Sequence, residues 1–340
     1  MVFGCEFHAP ILACCGPLVA PVGRHRASGG LPVLRVAGNA GVATPKRGRI
    51  GACSSTNVSD GTDPPTALVQ KAQRDGLAVI ALCDHDTFDG LAEAEEAGRR
   101  FGVAVLPGIE ISTHVGSTEV HLLGYGADPW AQPLRRELAR MRASRLDRLP
   151  KMIAKLHELG MDLSVGDVEK QMLGASSAGR PHVADALVAK GYVANRDEAF
   201  AKYLDSTGPA YVPRETLALA RAIDLVHGAH GACIIAHPWI RGTRDVVTSA
   251  LLASLKADHG LDGIEVDHPD QDQQTRALLF ELGGRLGLMR TGGSDYHGTG
   301  KTGHDLGTCV TRPSALHELA LRITARGGSI GGVETLMGRL

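Results

Sequence analysis

Between Leu77 and Thr311 the chain repeats one pattern, a short apolar run followed by a helix-length amphipathic segment. The runs lie at 77–82, 103–111, 119–125, 232–236, 261–266, 285–291 and 306–311. Segments 64–75, 88–101, 215–230, 242–259, 270–286 and 313–326 set their apolar residues three and four apart, the spacing of one helix face. Short strands alternating with such helices predict an α/β chain with a parallel sheet or barrel. The rhythm breaks from 128 to 214, where no strand is evident and "LRRELARMRASRLDRLPKMIAKLHELG" reads as helix, as do 181–190 and 195–204. The expected organisation is therefore two barrel segments, 48–127 and 215–328, around a helical insertion at 128–214, with a C-terminal tail at 329–340. Residues 1–47 are rich in Gly, Pro, Ala and Arg without a sustained period, and read as a leader that is disordered or foreign to the fold.

A chain of 340 residues can bury a large core, and its net charge of −1 gives no electrostatic argument for a nucleic-acid or membrane surface partner. No obligate protein partner is evident. The seven cysteines include no C-x-x-C pair, which reads as reduced thiols in a cytoplasmic protein. The segment "ILACCGPLVAPVG" has the look of a signal-peptide core. However, Glu6 and no Lys or Arg precedes it, and Gly16, Pro17 and Pro21 interrupt it. No run is long enough for a membrane-spanning helix.

In βα barrels the chemistry gathers where strands finish. Asp84, His85 and Asp86 follow one apolar run, in "CDHDT", and Glu110 lies late in "VLPGIEIS". His121 lies in "VHLLGY", and His237 follows "ACIIA". His268 follows "GIEVD", and Asp295 and His297 stand two apart in the glycine-rich "RTGGSDYHGTG", read as a loop after a strand. Each is weak alone, because histidines beside apolar runs are more often hydrogen-bonded core or loop residues. Together they would crowd carboxylates and imidazoles on one rim, where desolvation is costly and divalent cations would stabilise them. Mixed His and carboxylate donors suit manganese, zinc or iron better than calcium or a structural zinc.

The stretches "SDGTDPPTALVQKAQRDGLAVIALCDHDTFDGLAEA", "GIEIS", "VHLLGY", "GRPHVADALV", "AHP", "GIEVDHPD" and "TGGSDYHG" carry a family likeness. In that order the chain resembles the PHP (polymerase and histidinol phosphatase) family. More narrowly it resembles the bacterial phosphoesterases that act on nucleoside 3′,5′-bisphosphates and trim RNA from its 5′ end. The resemblance implies a distorted (β/α)7 barrel with an inserted helical subdomain and up to three divalent cations at the barrel's C-terminal face. Manganese is the first choice among them, with zinc, iron or magnesium as alternatives. By the same likeness Asp60, His85, Glu110, His121, His237, Asp295 and His297 match metal ligands, Glu110 as a bridge. The family opens with D-L-H-T-H-S shortly before the S-D-G, but here the text is "GACSST", with Cys53 and Ser55 in place of the histidines. Cys53 can ligate zinc as a thiolate and Ser55 is a poor ligand, so one metal position is expected to be defective and up to two ions to bind.

"GRPH" sets Arg180 just before a proline that opens a helix, a place where free N–H groups favour an anion. Arg180 and His182 are therefore candidate phosphate donors. Arg145 and Arg148 are candidates for a second phosphate or an RNA backbone, while the remaining basic residues of that segment read as a solvated face. The expected activity is hydrolysis of a phosphate monoester by a metal-bound hydroxide, on a small phosphorylated nucleotide or a short RNA 5′ end. Asp84, Asp86 and His268 are expected to tune ligands or relay protons. The alternatives are a histidinol-phosphate type phosphatase, a non-catalytic nucleotide-binding protein, and an amidohydrolase. The last is disfavoured because no lysine stands as a bridging carbamate.

Overall fold

The structure, a computed structural model, describes residues 49–172, 178–213, 215–240 and 242–337. The expected leader at 1–47 lies outside the described residues. Seven strands close into a ring in the order β2-β1-β8-β7-β6-β4-β3 and back to β2. They are β1 (Ile50–Ser54), β2 (Val79–Leu82), β3 (Ala104–Val115), β4 (Thr118–Tyr125), β6 (Ala232–Ile235), β7 (Gly263–Asp267) and β8 (Met289–Tyr296). The two-residue β5 (Leu217–Ala218) pairs with the far end of β3, outside the ring.

The helices of the barrel form where apolar residues recur on one face and a cap stops the turn. In α1 (Pro65–Arg74) Pro65, Leu68, Val69 and Ala72 are buried. In α2 (Leu91–Phe101) they are Leu91, Ala94, Ala97 and Gly98, and Gly102 ends the helix at φ 71°. Helix α8 (Ser249–His259) starts later than the 242 its periodicity suggests, because the Thr248 hydroxyl accepts from the Leu251 N–H and caps it there. Asp272 caps α9 (Gln273–Leu286) through Thr275 N in the same way. α7 (Leu219–Gly228) and α10 (Pro313–Ala325) complete the outer layer.

The insertion contains α3 (Gln132–Glu158), α4 (Val165–Glu169), α5 (Arg180–Ala189) and α6 (Arg196–Ala199), which runs into a π-helical turn at Phe200–Leu204. α3 serves two cores. Its first half buries Leu134, Leu138 and Met141 with barrel residues such as Ile109 and Leu122. Its second half buries Leu149, Met152, Ile153 and Leu156 with Leu163, Val183 and Leu187 of the insertion.

Four details depart from the expected pattern. The strand expected at 306–311 is absent apart from a single bridge between Ile50 and Thr311, since β1 and β8 pair with each other and a closed ring has no edge to offer. β4 runs antiparallel to both β3 and β6, because Gly116 at φ 60° joins β3 to β4 in a tight hairpin that parallel strands cannot use. The "TGGSD" stretch is the end of β8 and not a loop. A Cβ on Gly292 would lie 2.7 Å from Val310 O and 2.8 Å from Asp267 Cβ, so glycine there permits close strand packing. The stretch expected as a C-terminal tail buries Ile330 and Val333 in the same cluster as Leu106 and Tyr125.

Candidate functional site

The ends of the parallel strands and the start of β4 meet at one face. There a cavity of about 520 Å³ is lined by Asp60, His85, Glu110, His121, His237, Asp295 and His297 together with Arg145, Arg148, Arg180 and His182. His121 reaches this face because β4 is reversed: its start, not its end, lies beside the ends of the other strands. The backbone is strained in and beside this cluster. Cys53, Asp86, His237 and Asp295 hold φ values of 52°, 54°, 29° and 48°, in the left-handed region that L-residues seldom adopt.

Glu110 is the hub. Its Oε1 accepts from His121 Nδ1 at 2.7 Å and from His237 Nε2 at 3.1 Å, while Oε2 faces His85 Nε2 at 3.6 Å, beyond hydrogen-bond reach. On the other side, Asp60 lies 3.9 Å from His85 Nε2 and 3.3 Å from His297 Nε2. His297 Nδ1 donates to the Asp295 carbonyl at 2.8 Å, which fixes the tautomer and leaves Nε2 toward Asp60. Two donor sets result, Asp60–His85–His297 and His85–Glu110–His121, each with its ligand atoms within 4.8 Å of one another.

Burial opposes charge on these acids, yet the imidazoles around them prevail. Burial would raise Glu110, but His85 and His121 hold it well below the usual carboxylate range. Asp60 is likewise held low by His297 and His85, and Asp295 by Lys301 and His297. Burial would pull His121 down, but Glu110 and Glu119 lift it to about 9. His237, where burial dominates, falls to about 4.

Divalent cations fit this donor set. Glu110 Oε2 and His85 Nδ1 are buried without a hydrogen-bond partner, a costly condition that coordination of a cation by the cluster would relieve for the carboxylate. Imidazole and carboxylate donors in this mixture suit manganese, zinc and iron.

Asp84 and Asp86 are not among the residues lining the cavity. Asp84 is turned to Thr56 and Ser59, and Asp86, which leaves the extended conformation at φ 54°, is turned to Ser112 and Arg145. Asp84 accepts from Thr56 N at 2.7 Å, Thr56 Oγ1 at 2.8 Å and Ser59 Oγ at 2.7 Å, tying the end of β2 to the loop between β1 and α1. Burial lifts its pKa to about 6. Asp86 accepts from Ser112 N at 2.8 Å and pairs with Arg145, and so holds that arginine. His268 also lies behind the cavity. Asp270 N–H donates to its Nδ1 at 3.1 Å, so Nε2 carries the proton and donates to Asp295 Oδ2 at 3.1 Å.

The phosphate candidates do meet the cavity. Arg180 opens α5 and stacks between the rings of Phe200 and Tyr211, with its centre 5.6 Å from each, while reaching Glu119 at 3.4 Å. His182 Nδ1 accepts from Gly179 N at 2.9 Å, which leaves Nε2 as the donor. The cavity also contains Glu119, Arg196, Asp270, Lys301 and His304, none of which the sequence singled out. Lys301 pairs with Asp295, and Arg196 pairs with Asp185 and also reaches the Asp60 carbonyl at 3.4 Å. Glu119 was discoverable, since it stands two residues before His121 and shares its face of the strand.

Residues 53–179 match the PHP domain model. The chain is 32% identical over 274 residues to a 3′,5′-nucleoside bisphosphate phosphatase of Chromobacterium violaceum, covering 80% of this chain and 95% of that protein. It is 34% identical over 245 residues to a 5′-3′ exoribonuclease of Haemophilus influenzae, covering 72% and 88%. Among solved structures it is similar to one from Bifidobacterium adolescentis, provisionally assigned as a metal-dependent phosphoesterase. That match has 33% identity and TM-score 0.77, and covers 82% of this chain and 98% of the other. An amidohydrolase from C. violaceum with bound sulfate matches at 31% identity and TM-score 0.73, covering 81% and 96%. With nearly the whole length of such relatives aligned, the chain belongs to the PHP-domain family of metal-dependent phosphoesterases.

Proposed function

We propose that this phosphoesterase removes a phosphate from a nucleoside 3′,5′-bisphosphate or from the 5′ end of a short RNA. The observation that carries the reading is a single one: the two His–carboxylate donor sets and Arg145, Arg148, Arg180 and His182 line the same cavity. Its volume of about 520 Å³ lies within the range of small-molecule sites and suits a mononucleotide. Phosphatase and exoribonuclease relatives support the substrate class.

Asp60, His85 and His297 would hold one divalent cation and Glu110, His121 and His237 another, manganese before zinc, iron or magnesium. Such cations, when bound, supply an activated water and draw charge from the phosphate oxygens. The chain's own residues orient the ester. Arg180, stacked between two rings, presents a planar fork matched to phosphate oxygens. Asp86 fixes Arg145, which lines the cavity, and His182 Nε2 adds a neutral donor. Burial of these donors strengthens each of these contacts. Among the described residues no helix is long and apolar enough to cross a membrane, and the four described cysteines are free and buried. Reduced cysteines and a nucleotide substrate favour the cytoplasm.

The test is phosphate release by protein stripped with a chelator and reloaded with Mn²⁺. The panel is a nucleoside 3′,5′-bisphosphate, a 5′-phosphorylated oligoribonucleotide and histidinol phosphate. Fast release from the first two, lost on chelation, is expected. Preference for histidinol phosphate, or cation binding without turnover, would overturn the nucleotide reading.

A further inference from the structure

Cys53 brings a donor of a different kind to this cluster. β1 shifts register against both neighbours near this residue, between Gly51 and Ser54 on the β2 side and between Ala52 and Ser54 on the β8 side. Within that irregularity Cys53 holds φ 52°, a conformation an L-residue keeps only where its surroundings impose it. The result is specific: Cys53 Sγ and a carboxylate oxygen from each of Glu110 and Asp295 lie within 4.8 Å of one another, and all three residues are buried. Ser55, two residues on, takes no part and instead donates to the Cys83 carbonyl at 3.4 Å. Glu110, which the Cys53 group shares with the His85–Glu110–His121 set, brings an unsatisfied oxygen to both. Both of its hydrogen bonds, from His121 and His237, fall on Oε1, and buried Oε2 accepts none.

We propose that Cys53, Glu110 and Asp295 form a mixed thiolate–carboxylate site for a borderline-soft divalent cation, zinc or ferrous iron in class. It would lie beside the two His–carboxylate positions. This rests on the reading of the cavity as a metal centre and replaces the expectation of a defective third position. A thiolate favours zinc, iron or cobalt over magnesium and manganese, so the third position differs in metal preference from its neighbours. On binding, the Cys53 S–H bond is exchanged for a sulfur–metal bond and the proton leaves to solvent. Three anionic donors then meet one dication, and the charge is shared with Lys301, which already pairs with Asp295.

The experiment uses the full chain, kept reduced with a phosphine, stripped and reloaded with Co²⁺. It reads near-ultraviolet thiolate-to-cobalt absorption and cobalt content per chain. The parent and Cys83→Ser are expected to show the band. Cys53→Ser is expected to lose the band and one cation. Cys53→His is expected to lose the band and keep the cation. Cobalt bound without a thiolate band in the parent, or a band that survives in Cys53→Ser, would overturn the thiolate site and leave the two His–carboxylate positions standing. No cobalt binding in the parent at all would instead bring down the metal-centre reading on which the proposal stands.

Discussion

Glu119 Oε1 lies 3.0 Å from His121 Nε2 while Glu119 Oε2 lies 3.4 Å from Arg180, so one carboxylate joins an imidazole of the donor cluster to the arginine proposed to hold phosphate. With Nε2–H committed to Glu119, Nδ1 is the atom His121 turns toward Glu110. Carboxylates that fix a ligating histidine in this way raise metal affinity about 10–100-fold. Glu119→Gln is therefore expected to weaken cation binding by about that factor. Equilibrium metal content against free-metal concentration would measure it, and an unchanged affinity would remove Glu119 from the centre.

Arg180→Ala tests the other end of that link. Loss of a charge-assisted contact to phosphate should cost on the order of 2–3 kcal/mol, or about 30–150-fold in kcat/KM. Metal content should stay at the parent level. A variant with parental kcat/KM would reject Arg180 as a phosphate ligand.

Asp86 separates structural from chemical roles in the "CDHDT" stretch. Arg145 and Asp86 are both buried, 6% and 0% exposed, so removing the acid takes the carboxylate of a buried ion pair away from its cation. Asp86→Ala is expected to cost about 3–5 kcal/mol of stability. Denaturant midpoints would show it, and a loss of turnover without any loss of stability would instead return Asp86 to the chemistry.

A pH prediction applies at Asp262, the residue before β7. Its carboxylate accepts from Cys233 N at 2.8 Å, His227 Nε2 at 3.0 Å and Arg326 at 2.9 and 3.0 Å. Burial would raise its pKa, but these bonds outweigh burial and lower it from 3.8 to about 2. A depressed folded-state value means the stabilisation, about 2–3 kcal/mol, is complete above pH ~4 and is lost as pH falls toward ~2. Asp262→Asn should therefore be less stable than the parent at neutral pH, and the gap should shrink between pH ~4 and ~2. A gap that stays constant down to pH ~2 would contradict this assignment.

How far the sequence discloses the site depends on how each residue arrives there. His85, Glu110, His237, Asp295 and His297 were legible because each ends or follows an apolar run on a parallel strand. Asp84 and Asp86 were legible as neighbours of His85 but not by partner: that Asp84 would hold Thr56 and Ser59, and Asp86 would hold Arg145, depends on segments that no apolar pattern places. Glu119 was overlooked because the reversal of β4 was not read from the "HVGSTEV" hairpin signal. Lys301 and Arg196 come from a loop and from the insertion, where no periodicity says which way a side chain points. The strand mistakenly placed at 306–311 has a fair local pattern and fails for a global reason, ring closure, that no local window contains.

The reversal of β4 also determines where this barrel tolerates change. In the parallel strands, the N-terminal connections lie away from the cavity and the C-terminal ones carry the chemistry. In β4 the polarity is opposite: the Gly116–Ser117 turn lies on the reactive side, and Tyr125–Gly126 faces the opposite pole. A tag, a circular-permutation break or an added loop before β4 would therefore disturb the site, since Glu119 and His121 are two and four residues from that turn. Engineering that treats all seven strands alike would misplace its cut at this one.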